Sequence, residues 1–263
     1  MSGLCPSTDK NLKHIWYLIL FLGALLIGCQ SAPTVPPPTL PTLAATPAPK
    51  ATESLPTPTE IAGQVEPTRT APAGDPAEYL AAGKKYWEAG EITRAIAALE
   101  TAVSLDPNLL EAKFYLGNAY TGAGRLVDAE AQFRAVLEID AAHLAAHSNL
   151  GVVYLQMEQI DQALAEFEAA LALDDADAEI YYLLGVTSVR RGELEKAQER
   201  FEQAIKLDPE LPEPYFGLGT LYALMGETEK AIEAIETFLS KGPAQDPAAE
   251  AEAKRMLGML KGQ

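Results

Sequence analysis

Two observations on the sequence predict an all-α protein, a solenoid of five helix-turn-helix repeats. From Pro76 onward the chain repeats every 34 residues without insertion, and each copy has glycine at its eighth position and alanine at its twentieth. The glycines are Gly83, Gly117, Gly151, Gly185 and Gly219, and the alanines are Ala95, Ala129, Ala163, Ala197 and Ala231. A fixed period of this length indicates units that stack on their neighbours. Small residues at fixed positions predict two antiparallel helices that approach each other closely in every unit.

The five predicted repeats are residues 76–109, 110–143, 144–177, 178–211 and 212–245. Four of them have glycine between their two helices, where a left-handed residue commonly ends a helix, and Glu158 takes that place in the third. The four glycines are Gly90, Gly124, Gly192 and Gly226. Pro107 and Pro209 follow the second helices of the first and fourth repeats, where a proline stops a helix.

Both ends of the array have capping signals. Asp75 is suited to cap the first helix, with Pro76 at its first position. Residues 246–263 predict one further helix, capped by Asp246 and started by Pro247. Its apolar stripe is Ala249, Ala253, Met256, Leu257 and Leu260. A stripe of this kind predicts a helix that covers the exposed end of the fifth repeat, which makes eleven helices in all.

The N-terminal residues 1–28 are typical of a secretory signal peptide. Lys10 and Lys13 precede a 12-residue apolar run, residues 15–26, which is shorter than the ~20 residues that span a bilayer. Residues 29–75 then contain 11 of the 19 prolines. Because this segment has no apolar periodicity, we expect a semi-extended tether between Cys29 and the repeats. A proline-rich segment can also bind an aromatic groove, but a plain spacer is the favoured interpretation.

The repeats resemble the tetratricopeptide-repeat family over about 170 residues. The resemblance is carried by the glycine and alanine positions, by tyrosine at position eleven, as in Tyr120 and Tyr154, and by phenylalanine at position twenty-four, as in Phe133 and Phe167. It implies a right-handed superhelix that binds a protein or peptide on its concave face. Some chaperone-binding members hold a carboxylate with lysine and asparagine, but Phe114 stands where the first lysine is expected.

Residues 26–29 resemble the lipobox of bacterial lipoproteins. The resemblance implies that the signal is removed before Cys29 and that this cysteine is acylated, which would anchor the chain to the extracytoplasmic face of the membrane. In diderm bacteria, an aspartate directly after the acylated cysteine resembles a signal that retains such proteins at the inner membrane. Gln30 occupies that position here, so an outer-membrane location stays open in a diderm cell. Lipidated members of the repeat family include secretin and pilus assembly factors and adaptors of cell-wall hydrolases.

The family's concave positions select a candidate partner-binding groove on the first helix of each repeat. Apolar and aromatic residues predominate there, on a face that we expect water to reach. The predicted groove residues are Phe114, Asn118, Ser148, Val152, Leu155, Tyr182, Val186 and Phe216. The alternative interpretation is a groove wall without a ligand. Two functions stay open: an adaptor that binds a protein partner, and a self-associating spacer of the cell envelope.

The composition argues against several other functions. The net charge of −17 would repel the phosphates of a nucleic acid. The repeats contain no cysteine and no phosphate-binding loop, so we expect no enzyme, no cofactor and no metal. His143 and His147 have a spacing that could bind a metal, but packing is favoured. Asp174, Asp175 and Asp177 suggest a calcium loop only at first sight, and helix capping is favoured for them.

Overall fold

The computed structural model describes residues 74–242 and 247–262. These residues form eleven helices and no strand. The helices are α1 (Pro76–Glu88), α2 (Ile92–Leu105), α3 (Leu110–Gly122), α4 (Leu126–Ile139), α5 (Leu144–Gln156), α6 (Ile160–Leu173), α7 (Ala178–Arg191), α8 (Leu194–Leu207), α9 (Glu213–Met225), α10 (Thr228–Ser240) and α11 (Pro247–Leu260). The predicted signal peptide, Cys29, nearly all of the tether and Asp246 lie outside the described residues. No described helix is long and apolar enough to cross a membrane.

The helices pack in sequence order, which confirms the predicted all-α solenoid. Each of the first ten helices pairs with its neighbour, from α1 with α2 to α9 with α10, and every pair packs against the next. The odd-numbered helices α1, α3, α5, α7 and α9 also contact one another. They therefore form an inner layer, and the even-numbered helices α2 to α10 form an outer layer.

Each helix pair closes around a glycine of the inner layer and a large side chain of the outer layer. A Cβ atom added to Gly151 would lie 2.5 Å from Cε1 of Phe167, and one added to Gly185 would lie 2.5 Å from Cε1 of Phe201. Phe167 is fully buried, as is Ala163 one turn before it. Glycine at position eight is required because the aromatic ring of position twenty-four occupies the space of its side chain.

The turns between paired helices have the predicted left-handed residue. Gly192 and Gly226 both have φ of 75°, and Glu158, which replaces glycine in the third repeat, has φ of 60°. Glu158 is the one non-glycine residue with positive φ in the described part of the chain. An L-residue in this conformation costs roughly 1–2 kcal/mol, so the third turn carries strain that the other four avoid.

Aspartates shape the connections between repeats. The Oδ1 atoms of Asp106, Asp140, Asp174 and Asp208 each accept a hydrogen bond from the backbone N–H two residues further on, at 2.9 to 3.0 Å. Asp177 caps α7 by accepting from the N–H of Glu179 at 2.8 Å, and Asp75 caps α1 in the same way. Asp177 therefore caps the coming helix as expected, whereas Asp174 forms a turn in the connection before α7.

Helix α11 covers the C-terminal end of the array, as predicted. Ala253 is fully buried, and with Met256 it packs in one apolar cluster with Phe238 of α10. The seventh residue of the repeat is leucine in repeats two to five, whereas the equivalent residue of α11 is Glu252. Glu252 forms an ion pair with Arg255. This pair gives the end of the array a polar surface.

Candidate functional site: the concave face of the inner layer

The predicted groove residues lie on four successive inner helices, α3, α5, α7 and α9. Phe114 and Ser148 are partly exposed. The others are buried: Asn118, Val152, Leu155, Tyr182, Val186 and Phe216. The expectation that water reaches the whole lining is therefore wrong for these six. Their partner contacts stay a prediction.

Packing accounts for the burial of the aromatic members. The ring of Tyr182 lies 5.8 Å from that of Phe201 between centroids, and Phe216 lies 5.1 Å from Phe238. Val152 and Leu155 belong to the same continuous apolar cluster as Tyr182. These side chains stabilise the helix pairs as well as lining the groove, so their truncation will affect folding together with binding.

Phe114 is the aromatic groove residue that retains an exposed part. Its ring contacts Tyr115 of the same helix and Phe133 of α4, with centroids 5.8 and 6.0 Å away. The ring of His143, in the connection to the third repeat, also lies 5.0 Å from that of Phe114 between centroids. Phe114 is thus held rigidly at the boundary between repeats two and three, as a binding anchor requires.

Amide side chains form the polar part of this region. Nδ2 of Asn149 on α5 donates to Oδ1 of Asn118 on α3 at 2.8 Å, and both residues are buried. Nδ2 of Asn118 is itself buried without a hydrogen-bond partner, as is Nε2 of Gln156 at the end of α5. The sequence analysis did not select Gln156. Its position, seven residues after Asn149 on one helix face, was the signal available.

Lys84 and Arg190 are two of the cations on the inner helices. Nζ of Lys84 donates to Glu111 at 2.6 Å between the first and second repeats, and this hydrogen bond raises the pKa of Lys84. Burial lowers the pKa of Arg190 at the end of α7, while Glu158 acts in the opposite direction. The positive charges of Lys84 and Arg190 are therefore each opposed by a nearby glutamate.

In repeats two and three, the tyrosine at position eleven links the inner helix to the preceding repeat. The hydroxyl of Tyr120 donates to Glu100 at 2.6 Å, and Arg125 lies 4.1 Å over its ring. Burial, helped by the Glu100 hydrogen bond, raises the pKa of Tyr120 to about 12. In the fourth repeat Ser188 replaces the tyrosine, and Nη1 of Arg200 donates to its hydroxyl at 2.8 Å. These contacts are structural.

The two histidines of the repeats contact different partners. Nδ1 of His143 accepts from the N–H of Ala146 at 3.1 Å and so caps α5. His147 lies 2.7 Å from Glu166 through Nδ1 and 3.1 Å from the carbonyl of Ala141 through Nε2. Within the residues that the structure describes, no three His, Cys, Asp or Glu side chains are grouped to hold a metal ion.

The fold and the concave face together define an α-solenoid repeat protein, a scaffold for protein–protein interaction. The chain is a tetratricopeptide-repeat protein. Models of the tetratricopeptide repeat match residues 80–143 and 121–186, and a TPR-repeat model matches residues 188–226. Folds of this family are typically interaction scaffolds without catalytic function. No curated protein matches the chain.

Several solved structures are similar. MamA, residues 41 to the end, from Desulfovibrio magneticus RS-1 is 29% identical, with a TM-score of 0.58 over 66% of this chain and 98% of that one. YrrB, described as a TPR protein with an unusual peptide-binding site, is 25% identical, with a TM-score of 0.53 over 69% and 92%. PilF of Pseudomonas aeruginosa shares the fold at 18% identity, with a TM-score of 0.57 over 70% and 88%.

Proposed function

We propose that this chain is an extracytoplasmic adaptor that binds a protein or peptide segment on the concave face of repeats two to four. One observation carries the proposal: the ring of Phe114 keeps an exposed part on the inner layer, where Phe133 and His143 hold it in place. A partly exposed aromatic ring that is held rigidly is suited to anchor a side chain of a peptide segment.

The likeness to YrrB supports a peptide as the partner. That protein carries a peptide-binding site by its description, and its sequence is 25% identical to this chain. The acidic character of this chain, with a net charge of −17, favours partners that are basic, because opposite charge speeds encounter. Envelope, secretion or pilus assembly is the process we propose, since lipidated members of the family serve there.

Membrane attachment through Cys29 is the second part of the proposal. It rests on the lipobox-like residues 26–29 and on the apolar run before them. Two acyl chains are enough for stable anchoring. Mass spectrometry of the mature N-terminus tests this part: a diacylated or triacylated Cys29 at the first position is expected, and a peptide that begins upstream of it contradicts the anchor.

A self-associating spacer is the alternative function. End-to-end stacking would have to bury the outer side of α11. That side carries the Glu252–Arg255 ion pair in the place where the interior repeats have a buried leucine. Burying such a pair costs desolvation that its attraction does not reliably offset, so this end of the array favours the adaptor over the spacer.

The adaptor proposal is tested by capturing partners from the protein's own membranes with matched variants. Ser148→Arg introduces a long cation into the groove at a partly exposed position, and Ala165→Arg introduces the same side chain on the exposed side of α6. Capture should fall at least tenfold with Ser148→Arg and stay unchanged with Ala165→Arg. Equal capture by both variants would place the contact away from the concave face.

A further inference from the structure

Two kinds of contact join successive inner helices. The first joins position nine of one repeat to position six of the next, as where Asn118 of α3 accepts a hydrogen bond from Asn149 of α5 at 2.8 Å. The second joins position twelve to position thirteen of the next repeat. At this level a Cβ atom added to Gly122 would lie 3.2 Å from Cζ3 of Trp87. The boundaries between repeats can therefore be compared at these two levels.

The boundary between repeats two and three is polar at both levels. Asn118 and Asn149 form the first level, and Thr121 and Gln156 occupy the second. Oγ1 of Thr121 donates to the carbonyl of Gly117 in its own helix at 2.8 Å. Nδ2 of Asn118 and Nε2 of Gln156 are buried and have no hydrogen-bond partner within the described part of the chain. A buried donor that is left unsatisfied destabilises the closed arrangement of α3 and α5.

The boundaries on the C-terminal side are predominantly apolar. Between repeats three and four the first level consists of Val152 and Leu183, which belong to one buried apolar cluster, and Leu155 of the second level is also buried. Between repeats four and five, a Cβ atom added to Gly217 at position six would lie 2.7 Å from Cε1 of Phe201. Separating these helices would expose aliphatic and aromatic surface to water, which is unfavourable.

The boundary between repeats one and two is closed by a large ring. Trp87 is buried and lies against Gly122 of α3. At the first level, Nζ of Lys84 lies 4.9 Å over the ring of Tyr115 and donates to Glu111 at 2.6 Å. Opening this boundary would expose the indole ring and would supply no hydrogen bond that the closed arrangement lacks.

We propose that the solenoid has a hinge at the boundary of repeats two and three. When α3 and α5 separate there, water reaches the amides and satisfies the donors that lack a partner, whereas opening elsewhere exposes apolar surface. The outer side of this boundary stays joined: the hydroxyl of Tyr154 on α5 accepts from Arg134 at 2.8 Å and donates to Glu130 at 3.2 Å, both on α4. Repeats one and two therefore move as one body, and repeats three to five move as the other.

The hinge lies inside the proposed partner site. Phe114 on α3 and Ser148 on α5 lie on opposite sides of it, so opening widens the concave face between them. The ring contact between Phe114 and His143 also crosses the boundary, but both residues are already partly exposed, so its loss uncovers little apolar surface. The hinge goes beyond the proposed function, because it belongs to the chain without its partner and sets the width of the groove.

Distances between two spin labels measure the hinge in the full chain, held in detergent without a partner, so the result does not depend on the adaptor function. With Cys5 and Cys29 changed to Ser, labelled cysteines replace Ala97, Ala165 and Glu233 in pairs, at exposed and equivalent positions of α2, α6 and α10. The 97/165 pair spans the first two boundaries, and the 165/233 pair spans the last two. We expect the distance distribution of the 97/165 pair to be about twice as wide as that of the other, because only this pair crosses the hinge. Equal widths would overturn the proposal.

Matched substitutions test the location of the hinge. Asn118→Val together with Asn149→Leu gives this boundary the valine and leucine of the next one, and should narrow the 97/165 distribution to the width of the 165/233 distribution. Gln156→Leu, at a partly exposed position, should narrow it in the same direction and stays informative if the double variant does not fold. Gln162→Leu, on the exposed side of α6, is the control and should leave the width unchanged. A 97/165 distribution that stays as wide in the folded variants as in the control would overturn the proposal.

Discussion

In the third repeat, the inner helix α5 buries every residue from 149 to 155, whereas the outer helix α6 buries only Ala163, Phe167 and Ala170. The outer helix has one packing face with spacings of four and three residues, and its other faces are solvated. The inner helix packs against its partner and against the inner helices before and after it. The inner layer therefore carries both the core of the solenoid and its candidate binding surface.

The largest effect that this comparison predicts is the loss of a groove aromatic from the core. Tyr182→Ala should lower the free energy of unfolding by ~3–5 kcal/mol, because Tyr182 packs on Phe201 and is 2% exposed. Its neighbour Tyr181 is only partly buried, so Tyr181→Ala should cost less than half as much. Urea denaturation measures both. Equal losses would show that the concave side of α7 is not part of the core.

The contact between the layers gives the next largest effect. Gly151→Leu should cost ~2–3 kcal/mol, since its Cβ would lie 2.5 Å from the ring of Phe167 and overpack the pair. Gly258 on α11 has nothing within 4 Å of such a Cβ, so Gly258→Leu is the matched control and should not destabilise. A melting temperature unchanged by Gly151→Leu would contradict the close approach of α5 and α6.

The turn between the layers provides a smaller and opposite effect. Glu158→Gly should stabilise the protein by about 1 kcal/mol, because glycine adopts the φ of 60° without strain. The reciprocal change, Gly124→Ala, should destabilise by a similar amount at a φ of 71°, where no neighbouring atom interferes. Chemical denaturation at neutral pH checks both. Destabilisation by Glu158→Gly would mean that its carboxylate outweighs the backbone strain.

The smallest effect concerns the link from an inner helix to the preceding outer helix, and it appears only at alkaline pH. Burial and the Glu100 hydrogen bond raise the pKa of Tyr120 to about 12, above the value near 10 of an unfolded tyrosine. The folded state therefore keeps a proton that the unfolded state loses. The associated stability is fully present below pH 10 and disappears as the pH rises from about 10 to about 12.

Thermal melts between pH 9 and pH 12 test this assignment. The difference in melting temperature between the wild type and Tyr120→Phe should shrink across that interval. A difference that does not change with pH would show that this contact is not linked to the Tyr120 proton. Glu100→Gln, which keeps a hydrogen-bond acceptor but removes the charge, serves as the control for the carboxylate.

The outer layer could be predicted from the sequence almost completely, and the inner layer only in part. Fixed positions such as Gly151 and Phe167 identify the helix pairs because each allows one size of side chain. On α5 the apolar residues surround the helix, so periodicity could not separate core from groove, and Val152 was expected to be exposed. Gln156 was missed because its spacing from Asn149 indicates only a shared helix face, whereas the lack of a hydrogen-bond partner is decided by its neighbours in space.

Site-specific photo-cross-linking in living cells tests whether the concave face of the inner layer binds the partner. The cross-linking amino acid is placed at position 148 on α5 or at position 165 on the exposed side of α6, two small residues of the same repeat. If the partner binds the concave face, position 148 gives a discrete cross-linked protein and position 165 gives none. A product formed only from position 165 would show that the partner binds the outer layer and would contradict binding on the concave face.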